Sequence, residues 1–306
     1  MVDNRTEVPS APTDDELQKV IDIEGGYKHN DGIIIFPAAN AKATVVLAHG
    51  GTGMVCVTDT DETYGHLMPS SAVRFLKARN INVVLVHTAP NPLSFSIGTI
   101  MSKLPWITTN DKQLTANLII TSTVFLKNRA RNGWGENTLT DIHHGLESFC
   151  DNTHIAINYF DTPVYLFGLC NSNYLFSYYY NQLKDSEKHK VSGIIFSSMY
   201  TKEILHTVPD SVKDQFYESL NFFRKNEALD IPILILHHEN DFSEGTSPDN
   251  ARLAQKQIKS SKEVTLYIAE GGINEGDPKL GYGHHGFRGI EGKIANVIAN
   301  FIERQA

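Results

Sequence analysis

The stretch Gly168-Leu169-Cys170-Asn171-Ser172 is the point from which the rest of the sequence can be interpreted. It follows a short apolar run at residues 164–167 and precedes a segment with the composition of a helix. A strand, a sharp turn and a helix, with a small residue two positions before a potential nucleophile, form the nucleophile-elbow arrangement. Such a turn holds one side chain above the edge of a sheet. Here that side chain is the thiol of Cys170, and Ser172 replaces the second glycine of the usual motif.

The composition of the chain limits the kinds of protein that it can be. The 306 residues are 41% hydrophobic, which is sufficient for one large buried core, and the net charge is -8. No basic patch is present, so we expect no nucleic-acid partner. No apolar run approaches the roughly 20 residues that a membrane-spanning helix needs, so we expect no membrane span. The polar N-terminus lacks the pattern of a signal peptide, and the three cysteines have neither metal-site nor disulfide-framework spacing. We therefore expect a cytoplasmic location, and export by a signal-less route would leave the same pattern.

Short apolar runs alternate with longer helical patterns along most of the chain. The predicted strands are residues 32–36, 44–48, 81–86, 163–167, 191–196, 231–236 and 264–268. The predicted helices are residues 69–79, 140–149, 171–183, 248–259 and 289–302. Continuous apolar runs are typical of strands buried on both faces, so the pattern predicts an α/β fold with a mostly parallel sheet and helices on both sides.

The same alternation of apolar runs and helical patterns indicates the domain organisation. Residues 1–25 have the polar, proline-containing composition of a flexible arm, and residues 26–306 are expected to form a single domain. Residues 90–136 and 197–230 interrupt the alternation and carry several aromatic side chains. Both follow strands predicted to end at the same edge, so they are candidates for a lid or a pocket wall. Additional helices that only extend the fold are the alternative.

Polar groups suited to acyl transfer follow four of the predicted strands. Cys170 follows one, Asp241 another, and His284 and His285 lie in a glycine-rich loop after a third. A histidine can take the proton of a thiol, and a carboxylate bonded to its other ring nitrogen fixes its tautomer. A thiol at a helix N-terminus also has a lowered pKa. Glu239 is the alternative acid.

The fourth strand end supplies candidates for oxyanion stabilisation. Residues 49–53, with the sequence His-Gly-Gly-Thr-Gly, follow an early apolar strand. A tetrahedral intermediate carries negative charge on oxygen and needs preorganised N–H donors. The backbone N–H of Asn171, directly after the nucleophile, is one candidate, and that of Gly51 or Thr52 is the other.

These motifs resemble the α/β-hydrolase superfamily over nearly the whole chain after the N-terminal arm. The order nucleophile, acid, histidine is the order of that superfamily. The chain is similar to dienelactone-hydrolase-like members, which have a cysteine in the elbow and often place the histidine in an H-x-F context. The resemblance implies a Cys170-His285-Asp241 triad, with His285 rather than His284 as the base. It also implies an acyl-enzyme intermediate and a small-molecule ester, lactone or related acyl substrate.

Three alternatives stay open at this point. The scaffold can be a serine-type esterase in which Cys170 replaces the nucleophile, or a non-catalytic member of the fold that binds a ligand. The His-His pairs at positions 143, 237 and 284, together with Asp241, can also suggest a zinc site. Adjacent side chains diverge in strands and loops, so we expect no metal, and no cofactor is expected either. The sequence does not determine the oligomeric state.

Overall fold

The computed structural model describes residues 25–30, 32–48, 73–86, 149–169, 172–199, 229–241, 247–258, 262–274 and 283–305. The described strands are β1 (Tyr27–Asn30), β2 (Ile33–Phe36), β3 (Ala43–Ala48), β4 (Ile81–Val86), β5 (Val164–Leu169), β6 (Val191–Ser197), β7 (Ile233–His238) and β8 (Val264–Ala269). The described helices are α1 (residues 73–77), α2 (residues 149–157), α3 (Ser172–Gln182), α4 (Asp185–Lys188), α5 (Pro248–Gln257) and α6 (Glu291–Gln305). Among the described residues, a 3-10 turn spans Gly283–Gly286.

All eight described strands form one sheet with the order β1-β2-β4-β3-β5-β6-β7-β8. The strands from β4 to β8 run parallel to one another, whereas β2 is antiparallel to both β1 and β4. Every residue of β2, β3, β4, β5 and β7 is buried, because helices cover both faces of the sheet. This burial explains why these strands have continuous apolar runs rather than alternating patterns.

Two hydrophobic clusters separate the faces of the sheet. One contains side chains of α2, α3 and α5 packed on alternate residues of the strands. The other contains side chains of α1 and α6 packed on the remaining strand residues. The predicted mostly parallel sheet with helices on both sides is therefore confirmed. Within the described ranges, no helix has both the length and the apolar character that crossing a bilayer requires.

Consecutive connecting helices lie on opposite faces of the sheet, and this change of face determines where a site can form. The connection from β3 to β4 passes through α1, and the connection from β4 to β5 passes through α2 on the opposite face. The strand order therefore reverses between β3 and β5, which lie side by side with Ala48 opposite Gly168. In open α/β sheets, ligands bind beyond the carboxyl ends of the strands at such a switch point. Cys170 directly follows β5 in the sequence, and residues 49–53 directly follow β3.

The structure corrects several predicted boundaries. Strand β1 was not predicted, because its sequence Tyr-Lys-His-Asn is polar and largely exposed at the edge of the sheet. Strand β7 extends two residues beyond the predicted end, since His237 and His238 pair with β8. Helix α2 continues to residue 157, whereas the sequence predicted an end at residue 149. The Thr153 hydroxyl donates to the Phe149 carbonyl within this helix.

Other predictions lie outside the described residues. These are the arm at residues 1–24, the first part of the helix predicted at 69–79, most of the helix predicted at 140–149, and the interruption at 90–136. Most of the interruption at 197–230 also lies outside, and only residues 197–199 and 229–230 are described.

Candidate active site

A buried carboxylate and imidazole meet at the carboxyl edge of the sheet. Asp241 follows β7 by three residues and is 1% exposed, and His285 lies in the 3-10 turn after β8 and is 4% exposed. The Nδ1 atom of His285 is 2.8 Å from Oδ2 of Asp241. A carboxylate accepts only, so Nδ1 carries the proton and Nε2 is the nitrogen that can exchange one. The structure thus brings two of the three predicted triad residues together.

A second imidazole approaches the same carboxylate oxygen. His237 is fully buried in β7, and its Nε2 atom is 3.7 Å from Oδ2 of Asp241. Burying a carboxylate is costly unless polar groups surround it, and the rings of His285 and His237 both lie beside this one. The sequence suggested the His237-His238 pair only as possible metal ligands at a strand end, whereas the structure places both residues within β7 and His237 beside Asp241.

His238 holds the loops after β7 and β8 together. Its Nδ1 atom accepts a hydrogen bond of 3.0 Å from the N–H of Asn240, and its Nε2 atom donates to the carbonyl of Gly271 over 2.7 Å. An N–H donates and a carbonyl accepts, so these partners require the neutral Nε2–H tautomer. Burial is the main cause that lowers the pKa of His238, and repulsion from His284 adds to it. His238 is therefore a structural histidine in its neutral form.

His284 stacks on His238 and does not contact Asp241. The two rings are 4.1 Å apart and nearly parallel, with an interplanar angle of 5°. Nδ1 of His284 lies 3.3 Å from the carbonyl oxygen of Asn240. Of the two adjacent histidines, the one that meets the carboxylate is His285.

Phe287, the last residue of the H-x-F pattern, anchors the turn that carries His285. Its side chain is completely buried among the residues of α1, α6 and the sheet, and its ring edge faces His238. Its backbone has a φ of 58°, which is unusual for a side chain of this size. The deep anchor holds the 3-10 turn against the sheet, so His285 two residues earlier has a fixed position.

The start of α3 is joined to β3 by Ser172. The Ser172 hydroxyl accepts a hydrogen bond of 2.7 Å from the N–H of Leu169 and lies 2.8 Å from the carbonyl oxygens of Leu169 and Ala48. The serine at the position of the motif's second glycine therefore bonds the backbone of both β5 and β3 through its hydroxyl.

The close approach of strand and helix occurs at Gly168 instead. A Cβ atom on Gly168 would lie 2.7–2.8 Å from atoms of Asn173 in the first turn of α3. The Asn173 amide donates to the carbonyl of Ser197 over 2.9 Å and accepts from its N–H over 3.1 Å. The first turn of α3 is therefore bonded to the end of β6 as well as to β3. Sequence reasoning missed Asn173.

The remaining predicted site residues lie outside the described residues. They are Cys170, Asn171, Gly51 and Thr52. Their described chain neighbours are Leu169, Ser172 and Ala48, which the Ser172 hydroxyl connects. In the part of the chain that the structure describes, no group of three or more His, Cys, Asp or Glu side chains is arranged to hold a metal ion.

Comparison with solved structures identifies the fold. A Thermus thermophilus protein is similar to the chain with a TM-score of 0.50 and 12% identity, covering 89% of this chain and 92% of that one. The monoacylglycerol lipase of Paleococcus ferrophilus gives a TM-score of 0.49 at 13% identity, over 92% of this chain and 99% of the lipase. A dienelactone hydrolase from Anabaena variabilis gives 0.43 at 11% identity, over 89% and 90% of the two chains. No protein-family model and no curated protein sequence matches the chain.

The chain has the α/β-hydrolase fold, as the sequence predicted. At identities this low, structural similarity establishes the fold alone.

The packing at Gly168 gives a first prediction. Gly168→Ala should destabilise the protein by about 1–3 kcal/mol, because its Cβ meets backbone atoms of α3 that cannot rotate away. Urea unfolding followed by circular dichroism measures the change. Gly292→Ala in α6 is the matched control, since its Cβ meets only the ring of Phe75 at 3.3 Å and should leave stability unchanged or higher. A Gly168→Ala protein as stable as the parent would contradict the close approach.

The neutral state of His238 gives a second prediction. A histidine whose folded pKa is lowered stabilises the fold above its unfolded pKa of about 6.5, and that stability is lost as pH falls toward the folded value. His238→Gln should therefore reduce the loss of unfolding free energy between about pH 7.5 and about pH 5.5. Glu239, Asp241 and His284 lie around this ring in both proteins, so the difference in slope between the two proteins is assigned to His238. His29→Gln on the exposed β1 strand is the control, and an identical slope for all three proteins would disprove the assignment.

Proposed function

We propose that the protein is a hydrolase of esters, lactones or related acyl compounds that acts through a Cys170-His285-Asp241 triad. The observation that carries the proposal is the buried 2.8 Å hydrogen bond between His285 and Asp241 at the carboxyl edge of an α/β-hydrolase sheet. A carboxylate that fixes an imidazole tautomer at this edge prepares the other ring nitrogen for proton transfer.

The position of Cys170 in the sequence supports its role as the nucleophile. It lies between the last residue of β5 and the first residue of α3, at the switch point of the sheet. Exposed N–H groups and the dipole at the start of a helix favour a thiolate there.

In the first half-reaction, the sulfur of Cys170 attacks the substrate carbonyl carbon while Nε2 of His285 takes the thiol proton. The new C–S bond places negative charge on the carbonyl oxygen. The N–H groups of Asn171 and of Gly51 or Thr52 donate to this oxyanion. The tetrahedral intermediate collapses, the C–O bond to the leaving group breaks, and His285 returns the proton to the departing oxygen. The product is an acyl thioester on Cys170.

In the second half-reaction, water replaces the leaving group. Nε2 of His285 takes a proton from water as its oxygen attacks the thioester carbon. The second tetrahedral intermediate expels the Cys170 thiolate, which regains its proton from His285, and the carboxylic acid departs. Asp241 stabilises the imidazolium in both halves without taking the proton itself.

The proposal extends to the parts of the chain around the site. Residues 26–306 form one domain, and the segments 90–136 and 197–230 form the walls of the acyl pocket. We also propose that the protein acts in the cytoplasm and that its substrate is a small acyl compound. A serine-type scaffold with an exchanged nucleophile is the second candidate, favoured by the thiol at a position where the motif usually has a hydroxyl.

Turnover of small aryl esters and thioesters tests the proposal. Cys170→Ala should abolish turnover, and His285→Ala should lower kcat on the order of 10³-fold or more. His284→Ala is the matched control and should keep most of the activity, because His284 stacks on His238 and does not contact Asp241. Iodoacetamide should alkylate Cys170 rapidly near neutral pH, and His285→Ala should slow the alkylation.

Three outcomes would separate the alternatives. Unchanged turnover in Cys170→Ala would refute the nucleophile assignment. A thiol that stays inert to iodoacetamide, together with no turnover in the parent, would favour a ligand-binding protein. A large gain in esterase activity in Cys170→Ser would show a serine-type scaffold with an exchanged nucleophile.

A further inference from the structure

The carboxyl end of β6 contacts both halves of the candidate site. Ser197, the last residue of this strand, exchanges two hydrogen bonds with the side chain of Asn173, three residues after Cys170. The next residue, Ser198, donates its hydroxyl proton to the backbone carbonyl of His285 over 2.8 Å. Two consecutive residues thus connect the first turn of α3 to the turn that carries the histidine.

Ser198 is held in an unusual conformation. Its φ is 45°, in the left-handed region that a side chain makes unfavourable, and it is completely buried. Its N–H donates to the carbonyl of Leu236 in β7 over 2.9 Å, so its backbone is anchored as well. Backbone strain of this kind persists where surrounding structure imposes it, and it concentrates at functional sites.

The two polar anchors of His285 act on different parts of the residue. Asp241 holds the imidazole through Nδ1, and Ser198 holds the backbone through the carbonyl. A hydrogen bond to the ring alone leaves the ring free to move together with its backbone. Both anchors are needed to fix Nε2 in space.

We infer that Ser198 is a positioning residue that sets the location of His285 relative to the α3 elbow. The inference rests on the proposed function, and it adds a residue that neither the triad nor the oxyanion donors include. The strained backbone aims the Ser198 hydroxyl at the His285 carbonyl, while Ser197 holds α3 through Asn173. The Ser197-Ser198 segment thus contacts the first turn of α3 and the turn that carries His285, and it acts together with Phe287 and His238 in placing that turn.

Ser198→Gly separates a positioning role from a structural one. Glycine accepts the left-handed conformation without strain but lacks the hydroxyl. The variant should therefore keep the parent's melting temperature while kcat falls by about 10- to 100-fold, because small displacements of a catalytic group are costly. KM should change little, since the carbonyl of His285 does not contact substrate. The rate at which iodoacetamide alkylates Cys170 should fall together with kcat.

Ser177→Ala is the matched control for loss of a buried hydroxyl. Ser177 lies in α3, is 1% exposed and donates to the Asn173 carbonyl over 2.9 Å within the helix. It should keep kcat, because the helix backbone bond to the Asn173 carbonyl remains when the hydroxyl is removed. Unchanged kcat and an unchanged alkylation rate in Ser198→Gly would overturn the inference. A loss of kcat in both variants that follows their loss of melting temperature would overturn it as well. If Cys170→Ala retains turnover, the proposed function itself fails, and this result is independent of Ser198.

Discussion

The buried hydrogen bond between Asp241 and His285 is the contact on which the rest of the candidate site depends. A carboxylate that is 1% exposed loses its hydration, and only polar partners can compensate for that loss. Here the partners are the His285 ring at 2.8 Å and the His237 ring at 3.7 Å. The arrangement is stable only if the turn bearing His285 is pressed against the end of β7. The neutral ring of His238 and the buried ring of Phe287 hold the turn there, so core packing and site geometry have the same cause.

Residues at the end of β6 help to position the Asp241–His285 pair relative to the elbow. Parallel strands bring their carboxyl ends to one edge, but they do not set ångström-scale distances between the loops that follow. That accuracy comes from side chains that bond backbone atoms of neighbouring segments. The Asn173 side chain bonds the backbone of Ser197, and the Ser198 hydroxyl bonds the backbone of His285. The Ser172 hydroxyl joins the elbow to β3. These contacts link positions 24, 87 and 124 residues apart in the chain.

Sequence reasoning reached the fold because the buried strands have long apolar runs and the chemistry lies at the ends of those runs. It also named Asp241 and His285, which occur in loops after strands and which the structure brings into hydrogen-bond contact. It missed β1, since an exposed edge strand has no apolar run to mark it. It missed Asn173 and Ser198 for a different reason: both are ordinary polar residues, and only the fold shows which distant backbone groups they bind. It considered His237 only as a possible metal ligand, because nothing local in the sequence shows that this histidine is buried beside Asp241.

The central claim is that Cys170 carries the acyl group during turnover. Peptide mass spectrometry of protein quenched while it hydrolyses an aryl ester tests this claim most directly, since an activated leaving group makes an acyl-enzyme accumulate. We predict the acyl mass on the peptide that contains Cys170, localised to its sulfur, and its loss as the substrate is exhausted. An acyl group on a different residue, or steady hydrolysis after Cys170 has been fully alkylated by iodoacetamide, would contradict the mechanism.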